Sequence, residues 1–167
     1  MSYKITYTYS PESSERISKE FLLLRNGRST VFSVLILGIV GVIASFSPSF
    51  RWVGGFFVAL VLIYVLQFVS YIRRAKKLAN DLQNNSVVVK FNDENVAFQN
   101  NGHTSTVEWK RFSQVWITKH AWLFFIYSTD SYTAVPMSSI DEKLSSFILS
   151  KVAKDNVRDF QNKRSAK

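Results

Sequence analysis

The residues that could perform acid–base or metal chemistry are few and scattered along this chain. The two histidines, His103 and His120, each stand beside a polar turn, which predicts exposed loop positions. The acidic pairs Asp93-Glu94 and Asp141-Glu142 fit a solvated turn and a helix start, respectively. The sequence has no cysteine, which excludes disulfides, thiol catalysis and cysteine-bound metal. It also lacks phosphate-loop, dinucleotide and zinc-protease motifs, so we expect no metal site, no cofactor and no enzyme.

Basic and aromatic side chains that suit binding are concentrated between residues 109 and 127. Most of the aromatic side chains are expected to fill a core. The run 122–127 is apolar on both faces, so it needs a second cover: the C-terminal helix, a partner chain or the bilayer surface. Lys110, Arg111 and Lys119 lie close in sequence and can meet phosphates. With Trp122 they form a candidate surface for anionic lipid or a protein partner, the alternative being an ordinary solvated basic face.

Two uncharged apolar stretches, residues 29–50 and 52–72, are separated only by Arg51. A helix rises 1.5 Å per residue, so about 20 apolar residues cross a hydrocarbon core of about 30 Å. Pro48 disfavours helix at the residue before it and ends the first stretch. The pattern predicts a tight transmembrane helical hairpin, in preference to two buried core helices of a soluble domain.

Cations flank this hairpin on one side. Arg25 and Arg28 precede the first stretch, and Arg73, Arg74, Lys76 and Lys77 follow the second. The positive-inside rule therefore places both termini in the cytoplasm, and these juxtamembrane cations would attract anionic lipid. The net charge of +9 is explained by such positions and comes without a nucleic-acid motif, so we expect no nucleic-acid partner.

Small residues recur at a spacing of four in both apolar stretches. Gly41 and Ser45 in the first, and Gly55 and Ala59 in the second, give each helix a face for close backbone contact. We interpret these faces as packing between the two helices, with homo-oligomer formation as the weaker alternative. Neither stretch contains a charged residue or histidine, which argues against an ion or proton path.

The polar segments on either side predict one strand-rich domain. Residues 3–9 alternate like a half-buried strand, and Ser10 and Pro11 then predict the start of a helix. A lone strand is not stable, so it needs the sheet predicted after the second stretch. Six short antiparallel strands are expected there, at 87–91, 96–99, 104–109, 115–118, 122–127 and 132–135. Asn101-Gly102 favours a hairpin turn, and Ser139 with Glu142 fits a capping box that starts a C-terminal helix.

This order of elements resembles a known family. The membrane hairpin, the segment Val107-Glu108-Trp109, the aromatic-rich hairpin, the step Val135-Pro136 and the terminal helix look like the YcxB-like bacterial membrane proteins, over about residues 30–155. The resemblance implies an α+β membrane protein: a two-helix transmembrane hairpin plus a small antiparallel pleckstrin-homology-like β-barrel or sandwich closed by a C-terminal helix. It also implies a multi-pass protein of the bacterial inner membrane.

The predicted organisation has four parts. Residues 1–28 form a strand and an amphipathic helix, with the strand joining the C-terminal sheet, and residues 29–72 form the hairpin. Residues 73–160 form the pleckstrin-homology-like domain, and 161–167 a basic tail. We expect a non-enzymatic, membrane-tethered module that contacts the lipid bilayer and an unidentified protein partner. The alternatives are a sensor of anionic lipid or a small ligand, and an immunity protein against a membrane-active toxin.

Overall fold

The chain folds into two units, and one of them interrupts the other. The computed structural model describes residues 2–8, 10–81, 86–100, 103–127 and 131–161. The helical unit is Ser14–Leu78, and the strand unit combines Met1–Ser13 with Ala79–Lys167. The predictions that concern Tyr9, the turn Asn101-Gly102 and the tail from residue 162 lie outside the described residues.

The helical unit contains most of two long helices. Helix α1 spans Pro11–Ser45, and α2 spans Arg51–Asp81. The start of α1 is as predicted, because the backbone N–H of Ser13 donates to the Ser10 hydroxyl at 3.1 Å. Gly27 interrupts α1 with a φ of 72°, which glycine adopts without the steric penalty of a side chain. The segments Pro11–Gly27 and Ser29–Ser45 therefore meet at a bend of 81°.

One described helix is long and apolar enough to cross a bilayer. It is Arg51–Lys77 within α2, in which an 18-residue window has a mean hydropathy of 2.3. The first predicted stretch is helical only over Ser29–Ser45, and it counts as a second candidate only when joined across the bend to Pro11–Gly27. Its helical part is about 25 Å long at 1.5 Å per residue, shorter than a hydrocarbon core of about 30 Å. Multiple spans and cytoplasmic termini stay predictions.

The strand unit has two four-stranded sheets. Sheet A has the order β1-β2-β3-β4, and sheet B has the order β7-β6-β5-β8. The strands of sheet A are Tyr3–Thr8, Ser86–Phe91, Asn95–Asn100 and His103–Glu108. In chain order from β5, those of sheet B are Phe112–Ile117, Ala121–Ile126, Tyr132–Pro136 and Val157–Asp159.

Strand β1 lies beside β2 although the whole helical unit separates them in sequence. The two strands are antiparallel, with Tyr3 opposite Phe91 and Thr8 opposite Ser86. The chain therefore leaves for the helical unit, and returns from it, at the Thr8–Ser86 end of this strand pair.

The fold is α+β, and a barrel or a sandwich is expected from the sequence. In the described residues the strands form two sheets and no strand pairing joins sheet A to sheet B, so a closed barrel is not formed. The sheets differ from the prediction in one way: sheet B is not wholly antiparallel, because β8 runs parallel to β5. The sequence did not predict β8, since its three residues Val157–Asp159 are too few to show a periodic pattern.

The core lies between the sheets and under helix α3, which spans Glu142–Lys151. Leu144 and Ile148 of α3 are buried, as its apolar stripe predicts. The predicted capping box is wrong: Asp141 caps the helix by accepting a hydrogen bond from the Leu144 N–H at 2.7 Å. Ser139 instead ends a short 3₁₀ turn, Met137–Ser139.

Candidate interaction surfaces

The potential catalytic residues do not assemble into a site. His103 is exposed at the start of β4, and His120 is exposed in the turn between β5 and β6. In the part of the chain that the structure describes, no three His, Asp or Glu side chains could hold a metal ion together. The absence of enzymatic activity stays a prediction.

The three predicted surface cations do not lie together. Lys110 and Arg111 are exposed in the 3₁₀ turn Trp109–Arg111, which leads into β5. Lys119 is exposed in the turn that follows β5. A strand rises about 3.3 Å per residue, so the length of β5, about 20 Å, separates Lys119 from the other two.

Lys110 already has an acidic neighbour. Its ammonium lies 2.7 Å from a carboxylate oxygen of Glu108. The hydrogen bond from Lys110 lowers the pKa of Glu108, and the charge of Arg111 adds a smaller effect in the same direction. Both ion-pair partners are largely exposed, so the pair contributes little to stability. Arg111 makes no ion pair with any described residue.

Trp122 is not a surface residue. Its side chain is 2% exposed and belongs to the core between the sheets. The second face of β6 is covered as well: Phe125 packs on Trp116 with ring centroids 4.8 Å apart, and Trp116 packs on Phe160. The sequence correctly indicates that both faces of β6 must be buried. The prediction that Trp122 belongs to a binding surface is wrong, because its side chain is in the core.

An exposed aromatic residue lies instead at the end of β6. Tyr127 is 73% exposed and has a φ of 67°. A positive φ is a true outlier for a bulky residue. Phe112 pairs with Ile126, so the residues just beyond this pair, Arg111 and Tyr127, come to the same end of sheet B. We call these two residues the Arg111–Tyr127 patch. The sequence does not predict this patch, because tyrosine is not a residue type that indicates a positive φ.

Hydrogen bonds join the turn that carries Arg111 to the turn between β2 and β3 of sheet A. The indole N–H of Trp109 donates to the Asn92 carbonyl oxygen at 2.8 Å, and its backbone N–H donates to the Glu94 carbonyl oxygen at 3.3 Å. These acceptors lie in the turn between β2 and β3. That turn is at the opposite end of β2 from Ser86, about 17 Å along the strand.

The juxtamembrane cations belong to the helical unit. Between Ser14 and Leu78 the sequence has nine lysines and arginines and two glutamates, a net charge of +7 out of +9. The side chains of Arg25, Arg73, Arg74, Lys76 and Lys77 are exposed. The Arg28 side chain lies outside what the structure describes.

An acidic residue links the two basic segments of the helical unit. Glu15 lies 2.7 Å from the Lys19 ammonium and 3.5 Å from that of Lys76. The hydrogen bond from Lys19, together with the charges of both lysines, lowers the pKa of Glu15. Farther along, Phe21 packs on Tyr71 with ring centroids 6.2 Å apart. The segment Pro11–Gly27 therefore contacts the basic end of α2.

Small residues do pack the two apolar helices, but not all of those predicted. A Cβ on Gly54 would come within 3.0 Å of the Gly41 carbonyl oxygen and of Ser45. A Cβ on Gly55 would meet no described atom beyond its own helix within 4 Å, and Ala59 is exposed. The close contact is thus made by Gly41, Ser45 and Gly54, whereas Gly55 and Ala59 lie on the open face of α2.

The open faces of both apolar helices carry large hydrophobic side chains. The most exposed are Phe32, Leu35, Ile39, Ile43, Trp52 and Leu66, and Phe46 in the turn between the helices is exposed as well. So many large hydrophobic side chains exposed on neighbouring helices indicate an interaction with a membrane or another protein.

A shallow groove is present in the strand unit. It has a volume of 520 Å³ and is lined by Tyr3, Phe147 and the polar side chains of Glu142, Lys143 and Ser146. Phe147 packs on Tyr3 with ring centroids 5.0 Å apart. The two charged residues that line the groove, Glu142 and Lys143, are opposite in sign, so the groove has no clear preference for an anionic or a cationic ligand.

The family comparison supports the resemblance found in the sequence. The model of the YcxB-like protein family matches residues 91–150, from the end of β2 to near the end of α3. The predicted YcxB-like character is thereby confirmed for this region. Neither a curated protein nor a solved structure gave a match to the chain.

Proposed function

We propose that this protein is a non-enzymatic interaction module anchored in the bacterial inner membrane. The helical unit is the anchor, and the strand unit is a pleckstrin-homology-like domain that binds a protein on the cytoplasmic side. The observation that carries the proposal is the insertion of the helical unit between the paired strands β1 and β2. A domain built in this way is tethered through two neighbouring strands.

The surface chemistry of the helical unit supports the anchor. Its exposed apolar side chains would be stable in lipid, and removal of such area from water contributes about 25 cal/mol per Å². Cations precede the first apolar stretch and follow the second, and only Arg51 lies between them. This asymmetry is typical of a hairpin with its basic side in the cytoplasm.

The pleckstrin-homology-like assignment is supported by the strand unit and by the family match. Two four-stranded sheets pack around one core with a helix after β7, and the YcxB-like region covers most of these elements. A small domain of this kind, in whose described residues no catalytic groups are assembled, suits the proposed binding role.

Extraction of the full chain from membranes tests the anchor. We expect the protein to sediment with membranes, to stay there in alkaline carbonate and to be released by detergent. Release by carbonate alone would indicate a peripheral protein and contradict the proposal. The matched control is a peripheral membrane protein extracted from the same sample.

The charge distribution also favours a role in sensing anionic lipid. The helical unit holds +7 of the net charge, and each cation near an anionic surface contributes about 1 kcal/mol. We expect amide hydrogen exchange in residues 14–27 to be slower in phosphatidylglycerol vesicles than in phosphatidylcholine vesicles. Equal exchange in the two lipids would contradict this role.

A further inference from the structure

We propose that the Arg111–Tyr127 patch is the docking surface for a protein partner that presents a carboxylate beside an apolar pocket. This inference rests on the proposed function, since it assigns the contact residues of the interaction module. The carboxylate would receive the Arg111 guanidinium, and the pocket would receive the Tyr127 ring.

The conformation of Tyr127 is the first observation behind this inference. The first five residues of β6 are buried and Ile126 is partly buried, whereas Tyr127 is 73% exposed with a φ of 67°. Such a conformation is strained for a residue other than glycine, asparagine or aspartate. Strained residues are concentrated at binding and catalytic sites. The strained backbone at Tyr127 is not compensated by burial of the ring, because the side chain is 73% exposed. The stability of the fold therefore gives no reason for a tyrosine at this position.

The chemistry of the neighbour is the second observation. Arg111 is exposed, lies at the same end of sheet B and makes no ion pair with the described residues, whereas Lys110 beside it is engaged by Glu108. A guanidinium offers five donors in a planar fork that matches a carboxylate. Tyrosine and arginine are also enriched among the residues that contribute most to protein–protein binding.

Charge favours a protein over the bilayer as the occupant of this patch. The strand unit has twelve lysines and arginines and ten acidic residues, a net charge of only +2. Attraction to anionic lipid is thus concentrated in the helical unit. Within the strand unit, the turn that carries Arg111 is hydrogen-bonded to the end of sheet A where β2 turns into β3, opposite to the Thr8–Ser86 end of that strand pair.

Photo-crosslinking of the full chain in cells tests the docking surface. The photoreactive residue p-benzoylphenylalanine replaces Tyr127, and in a matched control it replaces the exposed Leu149 of α3. We expect one discrete protein adduct from position 127, none from position 149, and at least a tenfold loss of the adduct with Arg111→Glu. In cells that carry the Arg111→Glu variant, the adduct should form again when the acidic residue of the crosslinked partner is replaced by lysine.

Four results would overturn the inference: no adduct, an adduct of lipid mass, an adduct with a second copy of this chain, or an adduct unaffected by Arg111→Glu. The variant Tyr127→Gly separates binding from folding, because glycine accepts the positive φ. We expect the full chain to unfold at the same temperature or higher with Tyr127→Gly. A lower unfolding temperature would show that Tyr127 stabilises the fold, which would also overturn the inference.

Failure of this inference can be distinguished from failure of the proposed function. A chain that resists carbonate extraction but gives no adduct from position 127 contradicts only the docking surface. A chain that is released by carbonate contradicts the membrane anchor, whatever its adducts.

Discussion

The hydroxyl of Tyr7 donates a hydrogen bond to the carbonyl oxygen of Ala134, 2.9 Å away and buried. Tyr7 lies in β1 at one edge of sheet A, and Ala134 lies in β7 at one edge of sheet B. The bond therefore joins the two sheets at their edges. It also joins a residue ahead of the helical unit to one far beyond it, so the N-terminal strand is an integral part of the strand unit.

The first prediction concerns this bond. Tyr7→Phe removes the hydroxyl and should lower the free energy of unfolding by about 1 kcal/mol, the usual net contribution of such a hydrogen bond. The control is Tyr3→Phe, because the Tyr3 ring packs on Phe147 and no described residue bonds its hydroxyl. Denaturant unfolding of the full chain in detergent measures both variants. An equal effect of the two substitutions would contradict the role of the Tyr7 bond.

The second prediction concerns the contact between the apolar helices. Gly54→Ala should destabilise the helical unit by about 1–3 kcal/mol, because the added methyl group would clash with Gly41 and Ser45. Gly55→Ala adds the same methyl group on the open face and should have little effect. The measurement is the temperature at which the helical signal is lost in detergent. If Gly55→Ala proved the more damaging substitution, the helix contact would be wrong.

The third prediction concerns the start of α3. Asp141→Ala should cost about 1 kcal/mol, because it removes the side chain that accepts from the Leu144 N–H. Ser139→Ala should be nearly neutral, since the N-cap of α3 is Asp141 and Ser139 lies in the preceding 3₁₀ turn. Urea unfolding of the full chain distinguishes them. A larger loss with Ser139→Ala would restore the capping box suggested by the sequence.

The fourth prediction concerns acid stability. Lys151 donates a hydrogen bond to Asp93 at 2.8 Å, and this bond is the main cause that lowers the pKa of Asp93 from 3.8 to about 2. A pKa that is lower in the folded state stabilises the fold above the ordinary value, and this contribution is lost as the pH falls from about 4 toward 2.

Asp93→Asn should therefore unfold at a lower temperature than the native chain at neutral pH. The gap should stay constant down to about pH 5 and then close as the pH falls further. Glu94→Gln, in the same turn, is the control. A gap that persists unchanged at pH 2 would show that the ion pair with Lys151 is not its source.

Much of the strand unit could be predicted from the sequence. The predicted strands at 87–91, 96–99 and 122–127 each lie within a residue or two of β2, β3 and β6. Their alternating or wholly apolar patterns end at polar turns, and both signals are local. The family resemblance was likewise available from the order of these elements.

The features that decide the candidate surfaces could not be predicted. The burial of Trp122 depends on which face of β6 meets the core, and the run around it is apolar on both faces. The positive φ of Tyr127 has no signal in its residue type. Gly54 and Gly55 are adjacent glycines, and only the rotation of α2 against α1 determines which of them makes the contact.

We propose that the apolar hairpin crosses the membrane and that the strand unit lies in the cytoplasm, and cysteine labelling tests both statements. The chain has no cysteine, so Ser49→Cys in the turn after α1 and Lys154→Cys after α3 each supply a single, exposed thiol. In intact cells a membrane-impermeant maleimide should label position 49 and not position 154, and after lysis it should label both. Labelling of position 154 in intact cells, or of position 49 only after lysis, would contradict the account.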